Sequence, residues 1–232
     1  MILAQLERRD RSAEDSCVAD NGVCPDWIAD NFDRYVDPFW QHVYLTLVSV
    51  AIGFAIAFAL ALLAHRRRWL IPPITQITGI LYTLPSVAVF FLLLPLTGRG
   101  NTTAIIALVA YSLLILFRNV MAGLDNVPAE AKDAGRGMGL TQRQLLWRVE
   151  LPLALPEIMA GLRIAVTTTV GLAALAFLAG AGGLGEAIFA DVNFRSNVLV
   201  AGGLAVGLAI VLDLLVLLVQ RLITPWTRAA PS

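Results

Sequence analysis

The chain has 232 residues, 58% apolar and 15% charged, with a formal net charge of zero and a pI near 6.7. A soluble domain carries about 25% charged residues, so the composition argues against a water-soluble fold. The balanced charge gives no global field for nucleic acid or for an acidic substrate.

Residues 1–39 contain no apolar core long enough for a secretory signal, so they are read as an extracytoplasmic tail and not a cleaved leader. Arg8, Arg9, Arg11 and Arg34 face nine acidic residues between Glu7 and Asp37, an acidic bias that eases outward translocation. Trp27, Ile28, Phe32, Tyr35, Val36, Phe39 and Trp40 recur near helical spacing. They predict a short amphipathic helix with its aromatics at head-group level, against the alternative of a loosely ordered tail. Cys17 and Cys24 both fall in this tail. Their short separation leaves a disulfide, two free thiols or lipidation open.

From residue 40 to 228 the chain reads as a transmembrane domain. Crossing the hydrocarbon core takes roughly 20 apolar residues, and such stretches occur at 43–64, 76–96, 101–120, 156–181 and 198–221. That makes an all-α polytopic protein of about five spans. The uncharged run 69–98 is too long for one untilted helix and carries Pro72, Pro73, Pro85 and Pro95, so 69–78 is read as interfacial. The third stretch is short, and Asn101 and Arg118 are expected at its two interfaces. Arg66, Arg67, Arg68, Arg118, Lys132, Arg136, Arg143, Arg148, Arg221 and Arg228 then share one side of the membrane, while Arg99 and Arg195 lie on the other with Arg34. The positive-inside rule gives N-terminus out and C-terminus in.

Between the third and fourth spans lies a polar segment, 121–152. Pro128 suits a first helical turn, and Glu130 complements a helix N-terminus. Gly139 is placed to end that helix, and Thr141 with Gln144 forms a capping-box pattern for a second one. The expectation is two short helices joined at a glycine.

This segment resembles the signature of permease subunits of ABC importers, which reads Glu-Ala-Ala, three residues, Gly, nine residues, Ile, any residue, Leu-Pro. Asp133, Ala134 and Gly135 take the Glu-Ala-Ala place, and Gly139, Val149, Leu151 and Pro152 follow in register. The departures are Asp for Glu, Gly for the second Ala and Val for Ile. A finer resemblance covers about 40–228. Leu81-Tyr-Thr-Leu-Pro-Ser-Val-Ala-Val-Phe, Phe117-Arg-Asn-Val, Leu155-Pro-Glu-Ile-Met-Ala-Gly-Leu-Arg163 and Gly180-Ala-Gly-Gly-Leu-Gly185 are similar to the osmoprotectant branch. That branch imports glycine betaine, choline, carnitine, proline betaine or related solutes.

The resemblance implies a type I importer permease fold in a bacterial inner membrane. It implies a second permease, identical or homologous, and an extracytoplasmic substrate-binding protein. Separate ATPase subunits would hold the ATP and Mg, so this chain would bind no cofactor and would not itself be an enzyme. The sequence agrees, since it has no Gly-x-x-x-x-Gly-Lys-Ser/Thr loop, and its one lysine, Lys132, follows alanine.

Tyr82, Pro85 and Ser86 are candidates for the translocation path. A proline within a span frees a carbonyl that is tolerated where protein or a cavity covers it; a purely structural kink is the alternative. Arg163 and Asp213 each fall eight residues inside the expected inner ends of their spans at Leu155 and Arg221, about 12 Å along each helix. An ion pair is the expected remedy for two such charges, with snorkelling of Arg163 as the alternative. A different reading, an ion-coupled secondary transporter or channel, would use Asp213 to bind a cation or relay protons.

Overall fold

The computed structural model describes residues 17–228, and every regular element among them is helical. The charged tail residues Glu7, Arg8, Arg9 and Arg11 lie outside the described residues.

Helix α1 (Pro25–Asp30) is followed by a 3-10 turn (Phe32–Tyr35) that runs directly into α2 (Val36–Arg66). The single amphipathic helix expected over 27–40 is therefore not formed. Asn31 ends α1 by donating from both its backbone and its side-chain nitrogen to the Trp27 carbonyl. The aromatics then diverge. Trp27 packs edge-on against Phe194 with ring centroids 4.6 Å apart, and Tyr35 is buried.

A 3-10 turn at Arg68–Leu70 leads to α3 (Ile71–Thr83), and α4 (Ser86–Thr97) follows at an angle of 100°. Pro72 and Pro73 fit the first turn of α3, where an absent N–H costs nothing, and the boundary expected at 78 falls inside that helix. One expectation is corrected: 76–96 is not one straight span. A residue before proline avoids the helical region, and Leu84 accordingly sits at ψ 138°, which breaks the rod.

The chain continues through α5 (Asn101–Asp125), α6 (Ala129–Gly137), α7 (Gln142–Leu145) and a π-helical turn (Leu146–Glu150). From that turn it enters α8 (Leu151–Ala173), a helix that starts before the stretch expected as the fourth span, 156–181, and stops short of its end. The tail of that stretch forms a 3-10 turn (Ala176–Ala179) instead, before α9 (Leu184–Ala190) and α10 (Arg195–Ile223). By length and composition α2, α5 and α10 are each sufficient to cross a membrane, and the bent α3–α4 pair makes a fourth if counted as one span. Three or four of the about five expected spans thus meet that measure among the described residues, and α8 is not one of them.

Helix α5 is the centre of the bundle. It packs along α2 and α8, while α10 lies on α8, and α3 and α4 lie on α5. Without water to drive apolar helices together, close approach at small residues supplies the contact. A Cβ built on Gly161 would lie 2.2 Å from Cβ of Asn119, and one on Gly123 would lie 2.9 Å from the Ala154 carbonyl oxygen. Two apolar clusters result. One gathers Ala57, Ala61, Phe117, Leu124 and Ile158 near the polar segment, and the other gathers Leu45, Phe90, Leu108 and Ala176 at the opposite end.

Candidate functional site

The polar segment is a helical hairpin with a defined joint. Helix α6 ends in a Schellman motif: the Leu140 N–H donates to the Gly135 carbonyl at 3.2 Å and the Gly139 N–H to the Arg136 carbonyl at 2.9 Å. Gly139 occupies the left-handed region at φ 78°, as this motif requires. Helix α7 then starts with the capping box, in which Thr141 Oγ1 accepts from the Gln144 N–H and the Thr141 N–H donates to Gln144 Oε1 at 2.9 Å.

The signature residues divide by exposure. Asp133 and Ala134 are exposed on α6, with Asp133 accepting from Arg136 at 2.8 Å, and Met138 next to them is 74% exposed. Gly135 is buried: a Cβ there would sit 2.6 Å from Leu145 Cδ1 and 3.5 Å from Val149 Cγ2. Leu151 is buried and Pro152 half-buried in the first turn of α8. Gly in place of the second Ala thus has a packing reason, since it lets α7 lie directly on α6.

Contacts that sequence reasoning missed tie this hairpin to the bundle. His65, at the end of α2, donates from Nε2 to Glu150 Oε2 at 2.8 Å, with both side chains largely buried. Arg68 bonds Asp125 at the end of α5. Lys132 Nζ donates to the Leu124 carbonyl at 3.4 Å, a cation at a helix C-terminus. The end of α2 and the 3-10 turn after it therefore touch the chain just after and just before the hairpin. The only local signal was a charged residue beside each apolar boundary.

Tyr82, Pro85 and Ser86 lie together at the α3–α4 bend. The exposed backbone there is satisfied from α5: the Tyr111 hydroxyl donates to the Leu84 carbonyl at 2.5 Å, and the Tyr82 and Tyr111 rings meet edge-on at 6.2 Å. Nothing in the local pattern marks Tyr111 as that partner.

Arg163 and Asp213 are brought together across 50 residues in a two-point contact. Arg163 Nε donates to Asp213 Oδ1 at 2.8 Å, and Nη2 to Oδ2 at 2.7 Å. Two parallel charge-assisted bonds hold both planes, so the carboxylate of Asp213 is committed to arginine.

At the opposite end of the bundle the glycine-rich stretch is a folded turn. Gly180, Gly182 and Gly183 all have positive φ, and a Cβ on Gly185 would lie 1.7 Å from the Ala174 carbonyl oxygen. His42, fully buried, accepts at Nδ1 from the Leu184 N–H at 3.3 Å and donates from Nε2 to the Val170 carbonyl at 3.0 Å. The tail closes over the same end. Cys17 and Cys24 form a disulfide. The Cys24 N–H donates to Ser196 Oγ at 2.9 Å, and the Tyr35 hydroxyl to Asn197 Oδ1 at 2.8 Å.

Residues 45–229 match the family described as binding-protein-dependent transport system inner membrane component, and the chain belongs to that family. It is 37% identical over 206 residues to the osmoprotectant import permease protein OsmW of Salmonella typhimurium, covering 86% of this chain and 96% of the relative. It is 36% identical over 188 residues to the choline transport system permease protein OpuBB of Bacillus subtilis, covering 80% and 87%. The carnitine transport permease protein OpuCD of Listeria monocytogenes is 33% identical over 203 residues, with 86% and 91% covered. Among solved structures, the MetNI methionine ABC transporter in an inward-facing conformation has a chain that superimposes with a TM-score of 0.69 at 24% identity, covering 82% of this chain and 94% of that one. A chain of an amino acid ABC transporter gives 0.67 at 16% identity, covering 82% and 96%. The fold is that of a type I ABC importer permease, as the sequence led one to expect.

Proposed function

We propose that this permease imports an osmoprotectant, a small quaternary ammonium or betaine solute such as glycine betaine, choline, carnitine or proline betaine. Its relatives named for osmoprotectant, choline and carnitine transport support that class. Cargo arrives from an extracytoplasmic substrate-binding protein. A second permease, identical or homologous, completes the path, and Tyr82, Pro85 and Ser86 at the α3–α4 bend belong to its wall.

The observation that carries the coupling reading is the hairpin itself. It leaves Asp133 and Ala134 outward while Gly135 packs on Leu145 and Val149 and Leu151 is buried at the start of α8. The exposed face docks on a separate ATPase, which binds ATP and Mg, and ATP-driven closure reaches α2, α5 and α8 through the joints at Glu150 and Asp125. In this reading 121–152 is cytoplasmic, the tail 1–39 is extracytoplasmic and the C-terminus lies inside, in keeping with the arginine distribution. The ion-coupled alternative loses its motive group, because Asp213 is held by Arg163.

The deciding experiment reconstitutes the permease with its ATPase in liposomes and adds binding protein loaded in turn with glycine betaine, choline, carnitine or methionine. Stimulated ATP hydrolysis and uptake for the first three, and none for methionine, is the expected result. Stimulation by methionine alone would refute the substrate class.

A further inference from the structure

Two depressions meet where α2 passes α7. The first is a cleft of about 600 Å³ lined by His65, Arg66, Gln142, Arg143, Leu146 and Glu150. The second is an apolar groove of about 350 Å³ lined by Ala59, Leu62, Leu63, Arg66, Leu146 and Trp147. Arg66 and Leu146 belong to both, so the two form one continuous surface with a polar head and an apolar tail.

The polar part has a sign. Glu150 is bonded to His65, whereas Arg66 and Arg143 have no ion-pair partner among the described residues. Two guanidinium groups from different elements thus face one cleft and favour an anion. The apolar part has a direction. Ala59 precedes Arg66 by seven residues on a helix that crosses the membrane, which places it about 10 Å deeper. An aromatic, Trp147, flanks the groove, the residue type that settles at head-group level.

We propose that this surface binds an anionic phospholipid, its phosphate between Arg66 and Arg143 and one acyl chain along Ala59, Leu62 and Leu63 beside Trp147. A free phosphate or nucleotide satisfies the arginines but leaves the groove bare; an amphiphile with a negative head matches both halves. Bound there, the lipid bridges the end of α2 to the hairpin. The site is independent of the transported solute and requires only that Arg66 lies at a membrane surface.

The test uses the permease with its ATPase subunits in phosphatidylcholine vesicles containing either brominated phosphatidylglycerol or brominated phosphatidylcholine. Fluorescence of Trp147 is obtained as the difference between wild type and Trp147→Phe. Half-maximal quenching is expected at a mole fraction about fivefold lower for brominated phosphatidylglycerol, the selectivity of one arginine at an anionic surface, and at a ratio up to about thirtyfold when both arginines contribute. Arg66→Gln and Arg143→Gln should each reduce the ratio. Native mass spectrometry of the wild-type complex, counting retained phosphatidylglycerol against the two arginine variants, gives the same answer without the tryptophan variant. Equal quenching by the two lipids overturns the proposal. So does protection of Trp147 from both, as a protein covering the groove would produce, or relief of quenching by inorganic phosphate.

Discussion

Glu150 and His65 meet at 2.8 Å although 85 residues separate them, joining the last turn of α2 to the point where the hairpin re-enters the bundle. A hydrogen bond to a charged group contributes about 1.5–3 kcal/mol. Glu150→Ala should therefore lower the thermal stability of the detergent-solubilised complex by an amount in that range, and should raise ATP hydrolysed per solute imported. Glu150→Gln keeps an acceptor for the ring and should lose less. A Glu150→Ala protein with unchanged melting and unchanged coupling ratio would show that the contact is incidental.

Gly139 holds φ 78° with open space around it, so the penalty for replacing it lies in the backbone alone. A side chain in the left-handed region costs roughly 1–2 kcal/mol, and β-branched residues fare worst, whereas asparagine tolerates it. Gly139→Val should uncouple hydrolysis from uptake while the protein still inserts, and Gly139→Asn should retain most transport. Uptake assays on membranes with matched permease content separate the two. Normal uptake by the valine variant contradicts the joint's role.

Gly185 presents the opposite situation, because a Cβ there would sit inside the Ala174 carbonyl. Gly185→Ala should abolish stable assembly, read as loss of a monodisperse peak after solubilisation. Gly203→Ala, on α10 with nothing within 4 Å, should elute like wild type.

Charge exchange probes the pair between α8 and α10. An unpaired charge at that depth costs at least about 2.5–3.5 kcal/mol on insertion scales. Arg163→Asp and Asp213→Arg should each impair assembly, and the double exchange should recover part of it. If the double variant is no better than the worse single one, the pair does not stabilise the permease.

The proposed orientation is tested by the only two cysteines in the chain, Cys17 and Cys24. A membrane-impermeant thiol reagent should label them in intact cells once they are reduced. Labelling that appears only after lysis would place the tail inside.

Features that depend on local chemistry are legible in the sequence. The hairpin is an example, since a glycine followed two residues later by a helix cap specifies its own geometry, as Gly139, Thr141 and Gln144 do. The equal depth of Arg163 and Asp213 is countable from residue rise. The break at Leu84 is less visible, because hydropathy averaged over 76–96 reports the transfer of side chains and says nothing of backbone direction. Least visible are the partners of polar groups far apart in sequence. His42 joins the Val170 carbonyl to the Leu184 N–H, and Tyr111 serves Leu84. Each choice depends on how whole helices lie against one another, which no local periodicity encodes. The glycine-rich stretch is visible as a motif, but the need for Gly185 is not, because the collision that makes it necessary involves a carbonyl on another element.

The attachment of α10 has a geometric consequence. Only 6% of the residues in its most apolar stretch are buried, so hydrophobic contact alone would leave this helix free to spin about its axis or slide along α8. Asn197 is gripped by Tyr35 and by the Ala187 carbonyl, and Asp213 by Arg163. Those two residues are about 24 Å apart along the helix and, at 3.6 residues per turn, point in nearly opposite directions. Two anchors at different heights and on different sides remove both freedoms, fixing the azimuth of a helix whose surface is otherwise uniformly greasy and so deciding which stripe it turns outward.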